Sequence, residues 1–120
     1  MFREIPESDW RVFRKLREVA LERFCERVLG EIGEIASGTA TSYHQRYLEV
    51  FKLVERRDDD LARAFNDPRR STALSQLAAI RSHALITDEE LSSFTAATQE
   101  AIQMLSQPPG RPRGRKRAQL

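Results

Sequence analysis

The chain has 120 residues, 40% of them hydrophobic and 32% charged, which is enough for one modest core and too little for two. That balance excludes disorder throughout. Its net charge of +2 is unevenly distributed: residues 111–120 hold five cations and no acid, leaving fifteen cations against eighteen acids, a net −3, in residues 1–110.

The opening MFREIPESDW carries charges where a secretory signal needs an apolar centre, and the longest apolar run, Leu77 to Ile80, is far too short to span a bilayer. The single cysteine, Cys25, cannot form an internal disulfide. Together these predict a cytoplasmic protein.

Residues 8–36 predict one long helix capped by Ser8 or Asp9, with Trp10, Phe13, Leu16, Ala20, Phe24, Val28, Ile32 and Ile35 recurring every three or four positions. Val19, Leu21, Cys25 and Leu29 widen this stripe enough for two neighbours. Gly30 and Gly33 each cost about 1 kcal/mol relative to alanine, which predicts fraying or an early stop near residue 33.

After the small polar stretch SGTATS, Ser42 followed by Gln45 reads as a capping box. It opens a second helix of roughly 24 residues whose stripe is Tyr43, Tyr47, Val50, Phe51, Val54, Leu61 and Phe65. Asp67 before Pro68 predicts a third helix, ending near His83, because aspartate caps free amides and proline lacks one. Ala73, Leu74, Leu77, Ala78 and Ile80 form its packing face. Thr87 with Glu90 is a second capping box, directing Leu91 and Phe94 inward. Thr95-Ala-Ala-Thr-Gln-Glu either restarts a separate helix carrying Ala101, Ile102 and Leu105 or continues the previous one, so residues 88–105 are one helix or two.

No alternating strand pattern and no fixed-period repeat occurs. The expected fold is all-α, a compact bundle of four or five helices over residues 1–106, the first two long and antiparallel, followed by a disordered basic tail at 107–120. The wide stripe of the first helix further predicts self-association, most simply as a symmetric dimer.

The chemistry-bearing residues are sparse. Cys25, His44 and His83 lie nineteen and thirty-nine residues apart and match no compact metal or nucleophile motif. Cys25 reads as a core thiol, His83 as a helix C-terminal histidine favoured by the dipole, and His44 as a surface residue. Phosphate-binding loops, dinucleotide loops and HExxH are all missing from the sequence, so neither a cofactor nor catalytic residues are expected. Asp58, Asp59 and Asp60 point in directions about 100° apart on a helix and cannot converge on one ion.

One irregularity stands out. The stripe of the second helix calls for an apolar residue at 57 or 58, where Arg57 and Asp58 stand. A charged cluster would form if Arg69, Arg70 and Ser71 folded back toward Asp58 across the turn NDPRR, and a small enzyme would have to use this region. The alternative is a helix break, or a stripe that surfaces there.

Over residues 9–94, at DWRVFRKLREVALERFCERVL, HQRYLEVFKLVERRDDDLARAFNDPRRSTA and LITDEELSSF, the chain resembles a group of small bacterial all-helical proteins of uncharacterised function. The resemblance implies a helical cytoplasmic domain and supplies no catalytic residue. The tail resembles an AT-hook, a basic segment centred on Arg-Gly-Arg-Pro that lies in the minor groove of A·T-rich DNA. Gly110-Arg111-Pro112 matches one half and Arg113-Gly114-Arg115 the other, but Lys116 stands where proline should follow and Pro109 where arginine should precede. That resemblance implies nucleic-acid binding through Arg111, Arg113, Gly114, Arg115, Lys116 and Arg117. Three functions therefore emerge: a non-enzymatic helical interaction module with a protein partner, a nucleic-acid accessory protein that grips through its tail, and, least favoured, a small enzyme using the 57–71 region.

Overall fold

The structure, a computed structural model, describes residues 4–106, and among these there are five helices and no strand. Helix α1 spans Glu7–Ser37 and α2 spans Tyr43–Phe65. The shorter helices are α3 (Ala73–Ser82), α4 (Asp88–Leu91) and α5 (Ala96–Ser106). None of them is long and apolar enough to cross a membrane.

Helices α1 and α2 form an antiparallel hairpin, because Arg46 reaches Ala36 O at 2.7 Å near the tip while Phe24 meets Phe65 at 6.0 Å near the base. The α1 stripe predicted by periodicity supplies the buried residues Phe13, Ala20 and Phe24. The other helices pack over the base only, with α3 against α5 and α2. One apolar cluster joins Ile5 and Phe13 to Ala73, Leu77, Phe94 and Ile102. A second joins Ala20, Phe24, Ala64 and Phe65 to Ile80, Leu85 and Ile86. Leu16 and Leu91 pack against both, which makes the two clusters one continuous core.

The start of α1 differs from expectation. Its N-cap is Pro6, without a side-chain cap. Asp9 is instead buried at 1% exposure and directed at another helix: Oδ1 accepts from Thr95 N at 3.0 Å, and Oδ2 from the hydroxyls of Thr95 at 2.7 Å and Thr98 at 2.5 Å. One carboxyl group thus lies in the first turn of α1 while capping the free amide end of α5, where both helix dipoles favour a negative group. Helix α4 ends at Leu91 and this contact caps the start of α5, so residues 88–105 fall in two helices.

Helix α1 also runs past Gly30 and Gly33 without a break, contrary to the early stop expected at residue 33. Arg46 supplies a donor to the last turn of α1, and the hairpin packing outweighs the glycine penalty. Ser42 accepts from Gln45 N at 3.0 Å as expected, although the Gln45 side chain turns to Glu49. The third helix starts five residues beyond Pro68, at Ala73. Asp67 has φ 54° and its carboxylate pairs with Arg69 at 2.7 Å, so it shapes the turn and caps nothing. Aspartate is among the residues that tolerate this left-handed conformation, and a residue preceding proline is pushed away from right-handed helix.

As expected, α3 ends near His83, which is its C-cap. The stop is a Schellman turn with Leu85 N bonded to Ile80 O, Ala84 N bonded to Arg81 O, and Ala84 at φ 57° in the place glycine usually takes. Two arginines one turn apart on α1 hold it: Arg27 donates to His83 O at 2.7 Å and Arg23 to Leu85 O at 2.8 Å. Arg23 also forks onto Glu90 at 2.8 and 2.9 Å. Glu90 in turn completes the expected capping box with Thr87. The Arg23 guanidinium, with help from the Thr87 backbone, lowers the Glu90 carboxyl to about 2.

Candidate functional site

Among the described residues, half of the exposed large apolar side chains fall on one line. Along α2, Tyr43, Tyr47, Phe51 and Val54 are 86%, 67%, 54% and 43% exposed. Sequence periodicity predicts this stripe to face the core, but α2 buries Leu53, Ala64 and Phe65. The reason is geometric. Helix α2 meets α1 along the line of Arg46, Leu53, Arg57 and Ala64, which lies about 80° around the helix from the Tyr43–Val54 stripe at 100° per residue. The helices that could have covered the stripe pack at the hairpin base, where only its last member, Phe65, is buried.

Leu29 of α1, 66% exposed, lies beside Val54 across a groove of about 280 Å³ lined also by Phe24, Cys25, Val28 and Leu61, with Arg57 and Asp58 as its charged members. Cys25, read from sequence as a core thiol, packs against the second cluster yet is only half buried and forms part of this groove.

The charged interruption resolves into two fates. Arg57 points to α1, where Nε and Nη2 each donate to Glu31 at 3.0 Å, and Nη1 lies 3.4 Å from Asp60. The hydrogen-bonded Arg57 guanidinium holds the Glu31 carboxyl below its usual range, and Glu31 raises Arg57 in return. Asp58 instead lies exposed at the edge of the apolar groove, and it forms no ion pair among the described residues. Of the two alternatives left open by the sequence, the pairing of Asp58 with Arg69 or Arg70 does not form, and the position lies exposed in an unbroken α2. Arg69 pairs with Asp67, and Arg70 turns to the start of α1, pairing with Glu7 at 3.2 Å and donating to Ile5 O at 2.9 Å. Ser71 is exposed in the turn before α3. The left-handed residue at 67 separates these arginines from Asp58, so the five residues 57, 58, 69, 70 and 71 do not form one cluster.

A smaller cavity of about 160 Å³ between α1, α2 and the end of α3 is lined by Arg27, Glu31, Arg57, Asp60 and His83 with Phe24 and Val28. Glu31, Arg57 and Asp60 are spent on one another, and Arg27 on the His83 carbonyl. His83 stands edge-on to Phe24 at 6.3 Å, whereas His44 is exposed in the first turn of α2. No three metal-capable side chains come together among the described residues. Arg111, Arg113, Gly114, Arg115, Lys116 and Arg117 lie outside the described residues.

No family model, curated protein or solved structure matches the chain. The surface must therefore be read from its own chemistry. Sequence reasoning missed the exposed face, although a signal was present: two tyrosines and a phenylalanine on one stripe, interrupted by a charge, resemble an interface more than a core.

Proposed function

We propose that this chain is a non-enzymatic, cytoplasmic helical interaction module that docks a protein partner on the outer face of its α1–α2 hairpin. The carrying observation is the uncovered line of Tyr43, Tyr47, Phe51 and Val54 continuing across to Leu29. At about 200 Å² for a fully exposed large side chain, the exposed fractions of these five sum to roughly 600 Å². That lies at the upper end of the largest patches on ordinary monomers, roughly 300–600 Å², and patches of this kind mark interaction sites. A partner offering an equal area would bring the interface to about 1,200 Å², the lower edge of the standard size for stable complexes.

The test is a photo-crosslinking side chain placed at Phe51 in the full chain, exposed to native lysate. A discrete protein adduct lost on Val54→Glu but kept on Lys52→Glu, which faces the other way, supports the reading. Labelling that ignores both substitutions refutes it.

The charge partition favours a second role. Five cations within residues 111–117, against a body of net −3, suit electrostatic binding to nucleic acid with a mild A·T preference. About five neutralised phosphates give a slope of log affinity against log salt of roughly −4 to −5. Binding that is equally strong after removal of residues 107–120 would exclude it.

A further inference from the structure

We infer that the occupant of the hairpin face is an amphipathic helix with an apolar stripe and basic flanks. This rests on the docking reading above and assigns the chemistry of the partner.

The shape fits a helix. The stripe from Tyr43 to Leu61 runs about 27 Å at 1.5 Å per residue, and its Val54 to Leu61 part borders the groove against α1. Apolar grooves between paired helices receive the apolar side of a third helix through anchors three and four residues apart.

The charge fits a cation. Measured around α2 from Val54 at 100° per residue, Asp58 is about 40° away and Glu55 about 100°, whereas Lys52 and Arg56 are both about 160° away on the back. Around α1 from Leu29, Glu22 and Glu26 lie within about 60°. All four of these acids are exposed. The basic residues nearest to the groove are already engaged: Arg57 by Glu31 and Asp60, Arg23 by Glu90. The remaining cations on this side of α1, Lys15 and those before it, are about 20 Å or more from Leu29 along the axis, and Arg11 among them pairs with Glu7. The groove is therefore an apolar channel between two acidic edges, with Asp58 at its rim. A charge at that stripe position costs little in the exposed groove and supplies a directed contact for an incoming lysine or arginine.

A second copy of this chain satisfies the apolar requirement but not the electrostatic one. A two-fold interface sets this acid-rimmed patch, with Glu22, Glu26 and Asp58, against an identical one, and like-charged surfaces are poor partners. Residues 111–117 offer cations but no apolar stripe.

The experiment uses the full chain and two synthetic helices of about 18 residues, matched to the stripe length, with leucines at three- and four-residue spacing. One carries lysine flanks and the other glutamate flanks at the same positions. Affinities come from fluorescence anisotropy, and the mass of the chain alone from light scattering. The expected result is saturable binding of the lysine helix only, weakened roughly three- to tenfold by Asp58→Lys and by added salt, and abolished by Val54→Glu. Equal or tighter binding of the glutamate helix, or indifference to Asp58→Lys, overturns the basic partner and leaves the docking face standing. A dimer mass that reverts to monomer with Val54→Glu, with neither helix bound, overturns it in favour of a second copy. A monomer that binds neither helix overturns it as well. In that case the crosslinking experiment alone decides whether the face docks anything.

Discussion

Replacing Asp9 by alanine tests the contact that orders the second half of the chain. The carboxyl group is buried at 1% exposure and accepts three hydrogen bonds, all from residues 86 to 89 positions away. At about 1 kcal/mol net per bond, Asp9→Ala removes about 3 kcal/mol, with the buried Thr98 hydroxyl left with a poorer set of partners. For a domain of this size each kcal/mol moves the midpoint by about 4–8 °C, so Tm falls by roughly 12–24 °C. Asp9→Asn keeps an acceptor and loses about half as much. Urea and thermal unfolding measure the loss. Hydrogen exchange locates it, with amides of α5 opening faster while those of α2 keep their protection. The reasoning is refuted by a loss below about 1 kcal/mol, or by effects of Asp9→Ala and Thr98→Val that add to within about 0.5 kcal/mol.

Ala84 occupies a left-handed position at φ 57°, so Ala84→Gly stabilises by about 0.5–1 kcal/mol, and a lower unfolding midpoint would show the strain to be absent. Glu90 titrates at about 2 in the fold and near 4.5 when unfolded, so its contribution is complete above that higher value and is lost as pH falls toward 2. Unfolding midpoints followed through that window should fall more steeply for the parent chain than for Glu90→Gln. A Cβ at Gly30 or Gly33 meets nothing within 4 Å, so each alanine substitution adds about 0.8–1 kcal/mol, and a loss of stability would refute the open setting. Phe24, 5% exposed between α2 and α3, costs about 3–5 kcal/mol as alanine, a value an unchanged melting curve would contradict.

What the sequence determined by itself is whatever depends on neighbours a few positions apart. The α1 stripe through Phe13, Ala20 and Phe24 is legible because helical periodicity returns those side chains to one side. The Thr87 and Glu90 capping box is legible because its two bonds span three residues. The features read wrongly or not at all depend on groups distant in the chain. Arg17, Arg23, Arg27 and Arg46 satisfy the carbonyls of Phe65, Leu85, His83 and Ala36, from ten to 62 residues away, and nothing in their own surroundings announces it. Asp9 reads locally as a cap for α1, and only folding brings it to Thr95 and Thr98, where it divides α4 from α5. The same holds for the candidate site. Periodicity shows that α2 has an apolar side, but only the placement of the shorter helices at the hairpin base decides that Phe65 is buried and Tyr43, Tyr47 and Phe51 are not. A stripe records which side chains avoid water, whereas the element that covers them is chosen by the path of the whole chain.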